Sequence, residues 1–269
     1  MGRMTLDALV GADGADGTTR HPSDPADRGQ WGASGRRALG LDGTPEGWCG
    51  VVLADGAVVD AFVVAAASEA VRRAAPAAVA VDIPVGLVDA RVRQADAAAR
   101  ARLRGAAQTV FNAPPRALIE AWREGAVTTH AQATALADRV TGAGISQQAW
   151  RLVPKVAEVD ELAGSWGAGL CEAHPELAFR TLAGGERLPR KRSWSGLLRR
   201  RALLAAVGVV VPDDFEGGQR AAADDVLDAG ACAWVAAGLA AGEPLRSHPA
   251  EPSQTDGGRP IAIWTREPG

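Results

Sequence analysis

Tyrosine is absent from this chain of 269 residues, and aromatics of all kinds make up only 4% of it. A hydrophobic fraction of 47%, mostly alanine and valine, must therefore close its core through small side chains and close backbone approach. Cysteine is scarce. Cys49, Cys171 and Cys232 are odd in number and widely spaced, with neither a CxxC pair nor a Cys/His metal spacing. That pattern excludes a disulfide scaffold and a zinc finger, and it fits the reduced thiols of a cytoplasmic protein. No apolar run approaches the length of a membrane span, so no membrane partner is expected. The N-terminus also lacks the apolar core of a signal peptide. Nor is there an excess of positive charge: the formal net charge is −3. No global basic field advertises nucleic acid, and any such binding has to come from a local patch.

What is present is organised around Ala38-Leu39-Gly40-Leu41-Asp42-Gly43. This apolar run ends in an aspartate and breaks on glycine. It resumes over 48–53, turns at Asp55-Gly56, and resumes over 57–64, which predicts a three-stranded antiparallel meander. Residues 66–75 have helical composition. A continuous apolar run then ends on Asp82-Ile83-Pro84 and reads as a buried strand. Strand, strand, strand, helix, strand is the opening order of a ribonuclease H-like α/β fold, a mixed sheet with flanking helices. In that fold the first and fourth strands are neighbours, so Asp42 and Asp82 would meet at adjacent strand ends.

The remaining chain divides by texture. Residues 1–36 are rich in Gly, Asp, Ala, Pro and Ser, and predict a disordered tail. Residues 37–243 carry the α/β domain, with a helical insertion over about 88–166 expected to lie over the site. Its helices are predicted at 90–103, 115–123, 130–138 and 146–162, with Ser146 as an N-cap and a kink at Pro154. A fifth strand follows over 168–173, then helices over 175–183 and 197–207, and an edge strand or loop over 209–212. Residues 221–241 form the strongest helical segment. The Pro-rich segment 244–269 holds one short apolar run, 261–264, that suits a closing strand.

Candidate chemistry sits on the acidic residues. Asp42 and Asp82 also suit plain turn positions, and Glu172, at the end of the fifth strand, also suits pairing with an arginine. The last helix is more telling. Asp228 shares its face with Asp224 or Asp225 one turn earlier and with Cys232 and Val235 later. Carboxylates on a face that continues as apolar core require a compensating cation. Asp42, Asp82 and Asp228 are therefore the expected metal ligands, with Glu172 and Asp225 as further catalytic candidates. An all-oxygen donor set favours Mg2+ or Mn2+. His174, between Glu172 and Glu176, is either a general base or a structural histidine. The densest basic stretch includes Arg190, Lys191 and Arg192, with Trp194 as a stacking surface beside it.

Taken together, several motifs carry a resemblance over about residues 39–242. They are Gly40-Leu41-Asp42-Gly43 with Gly47-Trp48, Val81-Asp82-Ile83-Pro84-Val85-Gly86-Leu87, and Ala113-Pro114-Pro115-Arg116. Gly144-Ile145-Ser146, Pro154-Lys155, Glu172-Ala173-His174-Pro175-Glu176 and Asp224-Asp225-Val226-Leu227-Asp228-Ala229 complete the set. The chain resembles the domain-of-unknown-function 429 family, described as predicted RNase H-like nucleases. It departs from the family at Thr44, Glu46 and Arg192-Ser193. The resemblance implies a metal-dependent nuclease or phosphodiesterase acting on nucleic acid, with Arg116 and Lys155 joining Arg190, Lys191 and Arg192 in substrate binding. Two other readings stay open. Gly40 to Thr44 also resembles the first phosphate loop of ATP-dependent phosphotransferases built on an actin- or sugar-kinase-like core. The third is a catalytically silent nucleic-acid-binding module.

Overall fold

Asp55 and Gly56 both take positive φ, 51° and 80°, which gives the two-residue turn that matches the twist of a hairpin. The turn joins β3 (Gly47–Ala54) to β4 (Ala57–Val64), and β3 pairs antiparallel with β2 (Ala38–Thr44) on its other side. The computed structural model describes residues 3–4 and 36–268. After α1 (Ala67–Ala74), β5 (Ala78–Val81) returns parallel to β2, and β6 (Leu170–Ala173) lies parallel to β5. With β1 (Arg3–Met4), β7 (Leu245–His248) and β10 (Ile263–Thr265) the sheet has eight strands, in the order β1-β7-β10-β6-β5-β2-β3-β4. A separate hairpin pairs β8 (Thr255–Asp256) with β9 (Arg259–Pro260).

The period-2 alternation of the strands sorts their side chains onto two faces. Ala38, Ala78, Ala80, Cys49, Cys171 and Ala173 face α6 (Pro175–Leu182), α7 (Trp194–Ala205) and α8 (Ala223–Ala241). Leu39, Leu41, Val79, Val81 and Leu170 face α1, α3 (Arg116–Arg123), α4 (His130–Thr141) and α5 (Gln147–Trp166). Helix α2 (Gln94–Arg102) packs with Ile261 and Ile263 through Ala95 and Ala99. Small residues let α8 lie directly on the sheet. A Cβ added to Gly40 would stand 2.0 Å from the Ala233 nitrogen and 2.2 Å from the Ala229 oxygen. Glycine at position 40 thus fixes the height and register of α8 over β2, and with it the position of the aspartates in the first turns of that helix.

Expectation and structure differ in the insertion and at both chain ends. Within the insertion, α3, α4 and α5 build the second layer of the domain, against the face opposite α8, and α5 sets Lys155 beside the end of β2. Helix α5 runs on through Pro154 from Gln147 to Trp166, with Ser146 as its cap: the Ala149 amide donates to Ser146 Oγ at 3.1 Å. In the expected tail, Arg3–Met4 add a strand to β7, and the expectation for 5–35 lies outside the described residues. The segment after 243 is more ordered than its prolines suggest. It contributes β7 as well as the closing strand, and β10 inserts between β7 and β6. Residues 209–212 are a loop, one of the two forms expected of them. Glu216 meets the outer edge of β4 instead, its carbonyl accepting the Val63 amide at 3.0 Å.

Candidate functional site

Asp42 lies near the carboxyl end of β2, and Asp82 directly follows β5. The Asp82 amide donates to the Leu41 carbonyl at 3.1 Å, continuing the parallel ladder by one step. Both share strand parity with Ala38, Ala78 and Ala80 and so belong to the α8 face. Antiparallel to β2 in effect, α8 sets its backbone against Gly40 and brings its N-terminal turns, with Asp224, Asp225 and Asp228, toward the same sheet end. The helix dipole favours acidic groups in that first turn. Ligand sites of open α/β sheets form at the carboxyl ends of strands, and this is such a place.

The electrostatics record how closely these groups crowd. Burial raises the Asp42 carboxyl well above its ordinary range, and Asp82, Asp228 and Asp225 raise it further. Burial pushes Asp82 up to about 7, with Glu176 and Asp225 adding to the shift and Lys191 opposing it. Asp228 also reaches about 7 through burial, against the opposing pull of Lys191. Asp225 is raised by burial and by Asp224, while its Oδ2 accepts the Ala222 amide at 3.4 Å. The Gly43 amide donates to Asp42 Oδ1 at 2.9 Å.

One cation sits among these acids. Lys191 Nζ donates to Asp228 Oδ2 at 2.6 Å and stands 3.4 Å from Asp224 Oδ2. Burial alone would lower the Lys191 ammonium, but Asp228, Asp42 and Asp82 hold it above its ordinary value. Arg192 Nε donates to the same Asp224 oxygen at 2.9 Å, and against burial the two cations hold Asp224 below its usual range. Glu176, in the first turn of α6, borders the cluster and takes both its hydrogen bonds from Arg200, at 2.7 and 2.9 Å. Buried His174 begins that helix; its Nδ1 has no hydrogen-bond partner among the described residues, and burial lowers its pKa. Asp228 Oδ1 is likewise buried without a partner, although Asp228 is only 2% exposed.

Glu172 is not part of this cluster. It is in register with Val81 and shares the parity of Leu170, so it points to the opposite face of the sheet from Asp42 and Asp82. There Arg93, fully buried, donates to Glu172 and reaches Asp96 at 3.1 Å, and the Val85 amide donates to Glu172 Oε2 at 2.8 Å. Asp96 in turn accepts the Ala113 amide at 2.8 Å. The glutamate that was expected among the catalytic acids holds the 83–96 segment to the sheet.

The five basic candidates separate as well. Arg116 is committed to Asp256 and Asp160, at 2.5 and 3.4 Å, on the insertion side. Lys191 and Arg192 are engaged with α8 aspartates and are not free for a phosphate backbone. Arg190 is exposed and has no ion pair among the described residues. Lys155 is held 4.6 Å over the Trp48 ring, and a Cβ on Gly43 would meet its side chain at 3.0 Å. One turn on, Glu158 accepts Trp48 Nε1 at 2.9 Å and the Ala67 amide at 3.0 Å, which fixes α5 and therefore Lys155 beside the end of β2. Glu176 and the ion-pairing role of Lys191 escape sequence reasoning, because each depends on contacts between distant segments.

As a donor set, Asp42, Asp82 and Asp228 offer only carboxylate oxygens, one of them buried and unpartnered, and this chemistry suits Mg2+ or Mn2+. As they stand, no three His, Cys, Asp or Glu side chains among the described residues are gathered tightly enough to hold an ion. Side chains around the site would have to close on it. Fold and cluster define a mixed α/β protein with an under-neutralised acidic site at the ends of its central parallel strands. The chain belongs to the family described as Protein of unknown function (DUF429), whose model matches residues 40–254. No curated protein and no solved structure matches it. Among the described residues no helix is long and apolar enough to cross a membrane.

Proposed function

We propose that this chain is a ribonuclease H-like, metal-dependent nuclease or phosphodiesterase that hydrolyses phosphodiester bonds of nucleic acid. The observation that carries the reading is the strand order β4-β3-β2-β5-β6, with the meander antiparallel and β2, β5 and β6 parallel. That order is the one expected of a ribonuclease H-like core, and it sets Asp42 and Asp82 side by side beneath the first turns of α8. Asp42, Asp82 and Asp228 would hold Mg2+ or Mn2+, with Asp225 bordering them. Such an ion supplies a water activated at neutral pH and charge stabilisation for the leaving oxygen. The chain's own residues would exclude bulk water on the α8 face, where Asp42 and Asp228 are almost wholly buried. Arg190 and Lys155, the basic candidates that no acidic side chain among the described residues holds within ion-pair distance, would approach the phosphate backbone from the two sides of the sheet end.

The phosphotransferase reading starts from Gly40 to Thr44 and is favoured by the buried Thr44 hydroxyl, which has no partner among the described residues at the end of β2. ATP would then bind near Asp42 and Thr44, whereas the nuclease reading predicts no nucleotide affinity there. The deciding experiment incubates the full chain with labelled single-stranded and duplex oligonucleotides in Mg2+, Mn2+ or EDTA. Cleavage that needs metal, and that Asp42→Asn lowers at least about a hundredfold, is expected. Binding of nucleic acid without cleavage in any metal indicates a silent binding module. Absence of both binding at low salt and cleavage in Mn2+ overturns the reading.

A further inference from the structure

Six carboxylates border the site: Asp42, Asp82, Asp224, Asp225, Asp228 and Glu176. Of these, Glu176 is satisfied by Arg200 and Asp224 by Arg192. Of the remaining acids only Asp228 is in ion-pair contact with a cation among the described residues, the ammonium of Lys191, and that ammonium is unevenly placed. It sits on the α8 side, 2.6 Å from one oxygen of Asp228 and 3.4 Å from Asp224, and leaves the other oxygen of Asp228 buried and unpartnered. Asp42 and Asp82 have no cation within ion-pair distance among the described residues, although both lie within electrostatic range of Lys191. The site is therefore unevenly neutralised: a cation is in ion-pair contact at its α8 side, whereas at its sheet side Lys155 lies only within electrostatic range of Asp42.

We infer that Lys191 permanently occupies one cation position, between Asp224 and Asp228, so that the site takes a single divalent ion, through Asp42, Asp82 and the free Oδ1 of Asp228. The inference rests on the metal reading above and specifies its stoichiometry. Two divalent ions a few ångströms apart need carboxylate oxygens available to both of them. Here the outer pair of carboxylates is already bridged by an ammonium, 2.6 Å from Asp228 and 3.4 Å from Asp224. An ammonium supplies one positive charge and three donors, so it can steady an oxyanion, but it cannot activate a water as a metal does. Lys191 comes from the loop before α7, and Ser193, two residues on, caps that helix by accepting the Gly196 amide at 3.1 Å. The cap holds the lysine's backbone in place independently of its charge.

The test counts bound Mn2+ on the metal-stripped full chain, by calorimetric titration and by the loss of the free-ion resonance signal. Three proteins are compared: wild type, Lys191→Met, and Lys191→Arg as a charge-preserving control. The wild type and the arginine variant are expected to bind one ion. Lys191→Met is expected to bind two, or to bind its ion at least about tenfold more tightly, because a like charge has left the site. If the methionine variant melts early without metal, Mn2+ should restore its melting temperature more than it raises that of the wild type. Two ions on the wild type, or an unchanged count and affinity in Lys191→Met, overturns the inference and leaves the metal reading standing. No Mn2+ bound by any of the three proteins overturns the metal reading itself.

Discussion

At the scale of single residues, the account turns on carboxylates buried together. Asp82 makes the cleanest probe, because unlike Asp228 it has no ion-pair partner among the described residues to lose. Its folded pKa, about 7, lies above its ordinary value of 3.8. Between those values the native state binds more protons than the unfolded chain, so its contribution to stability falls as pH rises and levels off above 7. Metal-free Asp82→Asn should thus melt a few degrees above the wild type at pH 7.5 and level with it near pH 4. A variant that melts lower at pH 7.5 would mean that Asp82 accepts a structural hydrogen bond. Glycine at position 40 carries the opposite expectation. Gly40→Ala drives a Cβ into the Ala233 backbone, where no side chain can swing aside. A cost of about 1–3 kcal/mol is expected from denaturant midpoints, since the helix itself must shift.

At the scale of elements, the two faces of the sheet separate a site from a clamp. Glu172→Gln leaves Arg93 buried with Asp96 as its remaining acid, and should cost on the order of 3 kcal/mol in chemical denaturation. An Asp82→Asn variant should show no comparable loss, and equal losses in the two would contradict the division of roles. Much of this was legible in the chain. The meander, β5, β6 and the helices after them follow from apolar period and Asp-Gly punctuation, and Asp42 and Asp82 follow from the strand order. The face of Glu172 was legible too, because Cys171 and Ala173 flank it as core residues and period 2 forces the residue between them to the other side. Arg93 hid the answer, since its partner lies 79 residues away. Strand β7, Leu-Arg-Ser-His, has no alternation to announce it, and pairing with β10 and β1 makes it a strand. The place of the insertion was not legible, because a helical segment records which of its faces is apolar and not which face of a sheet it covers.

At the scale of the whole molecule, a chain of net charge −3 must hold a polyanion through local positive charge. Lys191 and Arg192 are occupied by aspartates, which leaves Arg190 and Arg199, both exposed and without an ion pair among the described residues, around the 76% exposed Trp194. Replacing both arginines by glutamine should weaken nucleic-acid binding about equally for unrelated sequences. It should flatten the slope of log affinity against log salt by up to about 0.9 per lost duplex-phosphate contact. An unchanged slope would move the backbone path elsewhere, with Lys155 the next residue to test. The central claim is that the strand-end acids form a divalent-cation site, and it is tested most directly by anomalous diffraction from crystals soaked in MnCl2 near neutral pH. The account predicts an anomalous peak bounded by Asp42, Asp82 and Asp228, with Lys191 still on the Asp224 side. A peak at Glu172 on the opposite face, or none at the strand ends while the soaked crystal still diffracts, would contradict it.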